Sequence, residues 1–231
     1  MKQGVFIVIE GTDGSGKTEQ TKRLVERLAK EGHAILSFDF PRYGNPSAYF
    51  VEKYLNGQYG TSEEVGARRG SLFFALDRFD AGKEIQKALN GGMVVVSNRY
   101  VASNMAHQGG KIADEKEREK FFNWEVDLEF ELLGIPRPDL NVVLHVPAAI
   151  AQSMVDKKGH RDYVGGAKRD IHEADIEHLR RAEETYIEIV RLYPDRFSLV
   201  ECAPGGKLLS LEAVHEKVWT LVSALLGKFS S

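Results

Sequence analysis

The sequence predicts an α/β fold of three layers, with about five parallel strands between two layers of helices. Short apolar runs of strand length alternate along the chain with longer segments of helical periodicity. The apolar runs are unbroken, which is typical of strands buried on both faces of a parallel sheet. A glycine-rich segment follows the first run, so we expect ligands to bind beyond the carboxyl ends of the strands.

The first part of the chain predicts a strand, a helix and a second strand. Val5–Ile9 is an unbroken apolar run, and residues 18–31 are rich in helix formers. Gly32 stands where a C-terminal helix cap is expected. Residues 34–40 form the second predicted strand, which Pro41 ends.

The alternation continues through the rest of the chain. Residues 62–90 carry one long helical pattern, which leads through two glycines into a third strand at 93–96. Residues 156–170 are rich in glycine and lysine, lack apolar periodicity and predict a loop. The remaining predicted elements are helices at 115–133, 176–192 and 211–226 and strands at 140–146 and 197–201.

Composition indicates an ordinary globular protein without a general affinity for polyanions. The chain has 231 residues, of which 42% are hydrophobic and 28% charged, and its formal net charge is −3. A slightly acidic protein has no global attraction to nucleic acid or to an anionic membrane, so any affinity for phosphate must be local. The longest apolar runs have the length of strands and are too short to span a membrane.

Cysteine usage bears on the cellular compartment. Cys202 is the single cysteine, so it cannot form an internal disulfide. The first residues show no signal-peptide pattern. Both observations lead us to expect a reducing, cytoplasmic environment.

Residues 11–18 match the phosphate-binding P-loop pattern G-x-x-x-x-G-K-[ST] at every position. Their place between a predicted strand and a predicted helix is the one that this motif requires. Glycines let successive backbone N–H groups converge on phosphate oxygens, and the helix N-terminus adds positive charge. Lys17 is expected to reach the β- and γ-phosphates of ATP, and the Thr18 hydroxyl to bind magnesium. The predicted ATP-binding residues are Gly11, Thr12, Asp13, Gly14, Ser15, Gly16, Lys17 and Thr18.

The P-loop by itself does not separate kinases from switch GTPases or motor ATPases. The chain lacks the Asn-Lys-x-Asp segment that reads guanine, which argues against a GTPase. The third strand leads to Asn98 without the aspartate that holds magnesium in a motor ATPase. Neither rival is excluded by these two observations.

Four further segments bear on function: Phe40-Pro-Arg-Tyr43, Phe73-Phe-Ala-Leu-Asp-Arg78, the stretch from Asn98 to Gly110, and Lys157 to Glu173. Taken together with the P-loop, they resemble the thymidylate kinase family, and the resemblance runs from the first strand to the last helix. Position 14 of the P-loop carries no arginine, unlike the eukaryotic branch of the family. The basic segment at 157–173 resembles the lid of the bacterial branch, in which the lid supplies this arginine.

The resemblance implies a role for individual residues in binding dTMP. Arg42 would bind the acceptor phosphate, Phe74 would stack on thymine, and Arg78 would donate to a base carbonyl. Arg99 would contact the transferring phosphoryl group, and Asn104 the edge of the base. The full dTMP-binding set implied is Asp13, Arg42, Phe74, Arg78, Arg99, Asn104, His107 and Gln108.

The resemblance also implies catalytic and metal-binding residues. Lys17, Arg99 and the lid residues Arg161 and Arg169 would neutralise charge during transfer. Thr18 and Glu173 would hold magnesium, Glu173 through water, and Asp170 would help to position the acceptor. The chain departs from the family pattern at Asn98, where aspartate is usual and which we also consider as a metal residue, and at His107, where tyrosine is common.

From the resemblance we expect a single P-loop NTPase-type domain over residues 1–231, with the P-loop at 11–18 and a lid at about 156–173. The implied activity is magnesium-dependent phosphorylation of dTMP by ATP in dTTP synthesis, by a homodimer. No nucleic-acid or membrane partner is expected. Two alternatives stay open at this point: a kinase for another nucleoside monophosphate or for a deoxynucleoside, and a catalytically silent nucleotide-binding module.

Overall fold

A computed structural model describes residues 4–157 and 176–229. The lid predicted at 156–173 falls almost entirely outside these ranges. The expectations for Arg161, Arg169, Asp170 and Glu173 therefore lie outside the described residues.

A parallel sheet forms the centre of the fold, as the sequence predicts. In the described ranges it has five strands in the order β2-β3-β1-β4-β5, and each neighbouring pair is parallel. The P-loop strand β1 is central and completely buried. The predicted fold class is confirmed. The strands are β1 (Val5–Glu10), β2 (Ile35–Asp39), β3 (Val94–Asn98), β4 (Leu140–His145) and β5 (Phe197–Glu201).

Helices cover both faces of this sheet. Three short helices, α2, α5 and α7, were not predicted from periodicity. The helices are α1 (Lys17–Lys30), α2 (Tyr49–Leu55), α3 (Ser62–Val65), α4 (Ala67–Asn90), α5 (Val101–Gly109), α6 (Glu115–Val126), α7 (Ala148–Lys157), α8 (Ile176–Leu192) and α9 (Leu211–Lys228).

The prediction of one long helix over 62–90 is wrong in one respect, because Gly66 interrupts the helix. Gly66 has φ 74° and ψ 167°, a conformation that ends α3 before α4 begins. A capping box between Thr61 and Glu64 starts α3. Similarly, the helix predicted to reach residue 133 changes after α6 into a π-helical segment, Asp127–Leu132. π-Helical turns of this kind often occur at functional sites.

The two faces of the sheet carry separate apolar cores. Successive residues of a strand point to opposite faces, so Phe6 and Val8 pack with α4, α5 and α8, whereas Ile7 and Ile9 pack with α1 and α9. Full burial of such a side chain stabilises the folded state by about 1.5–3 kcal/mol. This double burial is the physical reason for the unbroken apolar run at the start of the chain.

No helix in the two described ranges is both long enough and apolar enough to cross a lipid bilayer.

Candidate active site

A cavity of about 330 Å³ opens at the carboxyl ends of β1, β2 and β3. Its walls come from the P-loop, α4 and α5, and it brings together most of the residues that the sequence singled out. The predicted residues that line it are Asp13, Gly14, Gly16, Lys17, Thr18, Phe74, Arg78, Asn98, Arg99, Asn104, His107 and Gln108.

The P-loop wraps closely around the end of β1 and leads into α1. Gly14 has φ 83°, and a Cβ atom added there would lie 2.1 Å from the carbonyl oxygen of Ala151. A side chain at this position is therefore excluded by both conformation and space. Lys17 is buried, and its Nζ donates to the carbonyl oxygen of Thr12 at 2.7 Å, which holds the ammonium group against the loop.

Arg99 follows β3 and lies beside the P-loop. Its backbone has φ 66°, an uncommon conformation for a residue with a side chain. The guanidinium group donates to Asp13, and to Ser103 Oγ and His107 Nε2 at 3.2 Å each. Burial lowers the pKa of Arg99, but the attraction of Asp13 and other negative groups leaves it above its ordinary value. Arg99 therefore carries a permanent positive charge into the cavity.

His107 is held in its neutral form. Because Arg99 can only donate, His107 Nε2 accepts, and Nδ1 is left to carry the proton towards Nε2 of His178 at 3.2 Å. Burial, the positive charge of Arg99 and the neighbouring His178 hold the pKa of His107 well below its ordinary value. The histidine is therefore a neutral polar contact in the wall and not a cation.

The far end of the cavity contains a buried ion pair. Arg78 on α4 is 2% exposed and forms two hydrogen bonds to Glu129, at 2.6 Å and 2.5 Å. Glu129 belongs to the π-helical segment, and Glu125 on α6 lies beside it. Burial and the charge of Glu129 raise the pKa of Glu125 to about 8. Glu129 therefore neutralises Arg78, while Glu125 stays protonated near neutral pH.

Two amide side chains in the wall have their orientation set by hydrogen bonds to neighbouring groups. Asn104 Nδ2 donates to Glu125 Oε1 at 2.6 Å and to the Ser71 carbonyl at 3.0 Å, which leaves Oδ1 to accept from a ligand. Gln108 Oε1 accepts from Lys111 Nζ at 2.6 Å, which leaves the Nε2 hydrogens to donate. The cavity thus presents one fixed acceptor and one fixed donor.

Arg42 does not line the cavity in this structure. Its Nε donates to Asp77 Oδ1 at 3.0 Å, and its Nη2 donates to Asp80 Oδ2 at 2.6 Å and to Ser47 Oγ at 2.8 Å. The predicted contact with the acceptor phosphate would use Nη1 or exchange some of these bonds.

Asn98 ends β3 beside Asp39, the residue that ends β2. Asn98 Nδ2 donates to Asp39 Oδ1 at 2.8 Å and to Thr18 Oγ1 at 3.4 Å. Asn98 Oδ1 is buried and has no hydrogen-bond partner in the described part of the chain. Such an oxygen suits a ligand that can donate a hydrogen bond.

Several residues of the site were not singled out from the sequence. Glu10, the last residue of β1, is completely buried and accepts hydrogen bonds from the Tyr100 amide, Ser103 and Tyr186, which fixes the start of α5. An acidic residue that ends an apolar strand is the signal that could have revealed it. Asp39 carries the same signal. His178 and Glu129 carry none, since they reach the site from distant segments.

Comparison with known proteins places this geometry in a family. The sequence model described as thymidylate kinase matches residues 9–218. A thymidylate kinase of Mycobacterium tuberculosis is 34% identical over 186 residues, which cover 80% of this chain and 85% of that protein. A thymidylate kinase of a Bradyrhizobium species is 28% identical over 229 residues, covering 96% and 94%.

The fold is similar to a solved structure of the same name. The thymidylate kinase from Candida albicans superposes with a TM-score of 0.73 at 22% identity, covering 99% of this chain and 94% of that one. At this identity the similarity bears on the fold alone. The family match over most of the chain, with a relative of 34% identity, carries the assignment: the chain belongs to the thymidylate kinase family.

Proposed function

We propose that the cavity at the carboxyl ends of β1, β2 and β3 is the active site, and that magnesium takes part in the reaction. As a member of its family, the chain is a nucleoside-monophosphate kinase that phosphorylates dTMP with ATP, a step of dTTP synthesis. The alternatives, another acceptor or a silent module, are not favoured by this membership. The residue roles that follow are our proposals.

The observation that carries the acceptor assignment is the fixed orientation of the two amides. Thymine offers a donor at N3–H between two carbonyl acceptors. Asn104 Oδ1 matches the donor, while Gln108 Nε2 and Arg78 match carbonyl oxygens. Cytosine has an acceptor at N3, which would face Asn104 Oδ1 without a hydrogen atom between them. Phe74, which also lines the cavity, supplies an apolar face for the ring.

The transfer itself needs alignment and charge neutralisation more than covalent chemistry. The P-loop amides and Lys17 hold the phosphates of ATP at the N-terminus of α1, and Arg99 lies between them and the acceptor. The acceptor phosphate is already anionic near neutral pH, so a general base is not required. Neutral His107 adds no charge and shapes the wall next to Arg99.

The residues present fit a magnesium ion. Thr18 is an exposed residue at the start of α1, and the carboxylate of Asp39 lies nearby. Asn98 Oδ1, which has no partner among the described residues, suits a bound water. When bound, magnesium neutralises phosphate charge and orders the leaving phosphates. Glu173 is proposed by resemblance only, and the lid with Arg161 and Arg169 stays a prediction.

A homodimer is supported by an apolar face on α4. Leu72, Leu76 and Phe79 recur at helical spacing and are 40%, 44% and 48% exposed, although they are large and hydrophobic. Contiguous exposed apolar residues mark interaction surfaces. We propose that this face meets its copy in a second subunit. We also propose a cytoplasmic location, which the buried free thiol of Cys202 supports.

The test is ATP turnover measured with a coupled assay across dTMP, dUMP, dCMP, thymidine and no acceptor, at several magnesium concentrations. We expect turnover with dTMP, weaker turnover with dUMP and little with dCMP. Preference for dCMP would contradict the amide assignment. Turnover that is unaffected when the metal is chelated would contradict the magnesium proposal.

A further inference from the structure

The magnesium side of the cavity lacks an acidic residue where P-loop proteins commonly have one. In these proteins the P-loop hydroxyl and an aspartate at the end of a nearby strand hold the metal. Here β3, the neighbour of β1, ends with Asn98, and an amide carries no charge. The next strand, β2, ends with Asp39, which pairs in register with Asn98.

Asp39 is placed to supply the missing charge. A single nitrogen, Asn98 Nδ2, binds both Asp39 Oδ1 at 2.8 Å and Thr18 Oγ1 at 3.4 Å. The carboxylate of Asp39 therefore lies one side chain away from the hydroxyl that binds the metal. Asp39 is an exposed residue and lines the cavity.

The other acidic residues of the wall are already engaged. Within the described residues, three acidic side chains line the cavity: Asp13, Asp39 and Asp77. Asp13 forms an ion pair with Arg99, and Asp77 forms one with Arg42. Asp39 forms a hydrogen bond with a neutral amide and no ion pair with a basic side chain in the described part of the chain.

The orientation of Asn98 completes the arrangement. Because its amide hydrogens point to Asp39 and Thr18, its Oδ1 is turned away, buried and without a partner among the described residues. A metal-bound water is a hydrogen-bond donor that would satisfy this oxygen.

We propose that Asp39 is the carboxylate that orders the magnesium shell beside Thr18, and that Asn98 positions Asp39 and accepts from a metal-bound water. In this chain the carboxylate is then at the end of β2, and the end of β3 carries an amide. This inference rests on the proposed function of the same cavity, and it assigns Asp39 a metal-positioning role.

The experiment measures metal binding directly and does not depend on turnover. Mn²⁺ is titrated by electron paramagnetic resonance in the presence of a non-hydrolysable ATP analogue. The variants are Asp39→Asn, Asp39→Ala and the exchanged pair Asp39→Asn with Asn98→Asp. Asp195→Asn, which removes one exposed carboxylate away from the cavity, is the matched control.

Loss of an outer-shell partner typically weakens metal affinity by 10–100-fold. We therefore expect Asp39→Asn and Asp39→Ala to raise the Kd for Mn²⁺ by about tenfold or more. The exchanged pair keeps one carboxylate and one amide, and should recover to within about threefold of the native value, while the control is unchanged. Binding of the analogue in chelator should be the same in all variants.

An unchanged Kd in both Asp39 variants would overturn the proposal, and so would an exchanged pair as weak as Asp39→Asn. Either result would leave the contact between Asp39 and Asn98 as a packing interaction between strand ends. If the native protein binds Mn²⁺ with the analogue but shows no turnover dependent on dTMP, the proposed function fails while the role of Asp39 still stands.

Discussion

At the scale of the residue, Lys17 combines a buried position with a hydrogen bond to its own loop. Its Nζ donates to the backbone carbonyl oxygen of Thr12 in the loop, which holds the side chain close to the place where we propose that phosphates bind. Groups of this kind act through charge placed in advance of the reaction.

We expect Lys17→Met to lower kcat/KM by at least about 100-fold, since one preorganised electrostatic contact is worth 10²–10³ in rate. A coupled assay with dTMP measures the effect, and thermal unfolding checks the fold. Lys22→Met, an exposed change on the same helix, is the control and should keep native activity. Native activity in Lys17→Met would contradict the assignment of the P-loop.

At the scale of the element, the pair Arg78–Glu129 joins α4 to the π-helical segment. Removing one partner of a buried ion pair leaves the other charge without compensation, at a cost of about 3–5 kcal/mol. Glu125 can moderate this cost, because without the charge of Glu129 its raised pKa falls and it can ionise beside Arg78. The buried carboxyl groups therefore act as one unit.

We expect Glu129→Gln to lower the free energy of unfolding by about 3 kcal/mol, the lower end of that range, measured by urea denaturation. Adding Glu125→Gln should lower it further, because the reserve carboxyl group is then lost. Glu131→Gln is the control: its pair with Arg137 is exposed, so it should cost less than about 1 kcal/mol. Equal effects of Glu129→Gln and Glu131→Gln on the free energy of unfolding would show that the buried pair stabilises the fold no more than the exposed pair does.

A second contact between elements depends on pH. His145 at the end of β4 binds Glu201 on β5 at 2.6 Å and Glu183 on α8 at 2.8 Å. Burial lowers the pKa of His145, but the hydrogen bonds to Glu201 and Glu183 leave it above its ordinary value. A folded-state pKa above the unfolded one stabilises the fold below the unfolded pKa, and this contribution disappears as pH rises through the folded pKa.

The native protein should therefore lose stability relative to His145→Gln as pH rises from about 6 to about 8, the range around an ordinary histidine pKa. Urea denaturation at both pH values measures the difference. His33→Gln, a change at a residue outside this cluster, should keep the native pH dependence. If His145→Gln keeps the native dependence of stability on pH, His145 is not the source of that dependence.

At the scale of the whole molecule, the exposed face of α4 lies behind the acceptor cavity, because Phe74, Asp77 and Arg78 on the same helix line that cavity. A second subunit on this face would hold the helix that carries the proposed base-binding residues. Assembly and acceptor binding are then linked through one element.

We expect Leu76→Asp to convert a dimer into a monomer, because a buried charge without a partner is unfavourable in an apolar interface. Light scattering coupled to size-exclusion chromatography measures the mass. Leu211→Asp replaces an equally exposed leucine, 44% in both cases, at the start of α9 over the other face of the sheet, and should keep the native mass. A native protein that is monomeric at all concentrations would refute the homodimer.

The sequence by itself determined the sheet, the P-loop and the family, because these signals are local. An apolar run records burial on both faces, and a glycine pattern records where backbone must approach phosphate. The positions of Lys17, Arg99 and Asn104 around one cavity could likewise be predicted, since they follow strands whose carboxyl ends share an edge.

Only the tertiary structure decided which partner each side chain has. The break at Gly66 and the helices α2, α5 and α7 escaped prediction because short segments take their conformation from packing and turn geometry. The bonds from Glu129 to Arg78 and from Asn98 to Asp39 join residues that are 51 and 59 positions apart. No periodicity records such a contact, because burial and charge compensation arise only when the folded chain brings the two groups together.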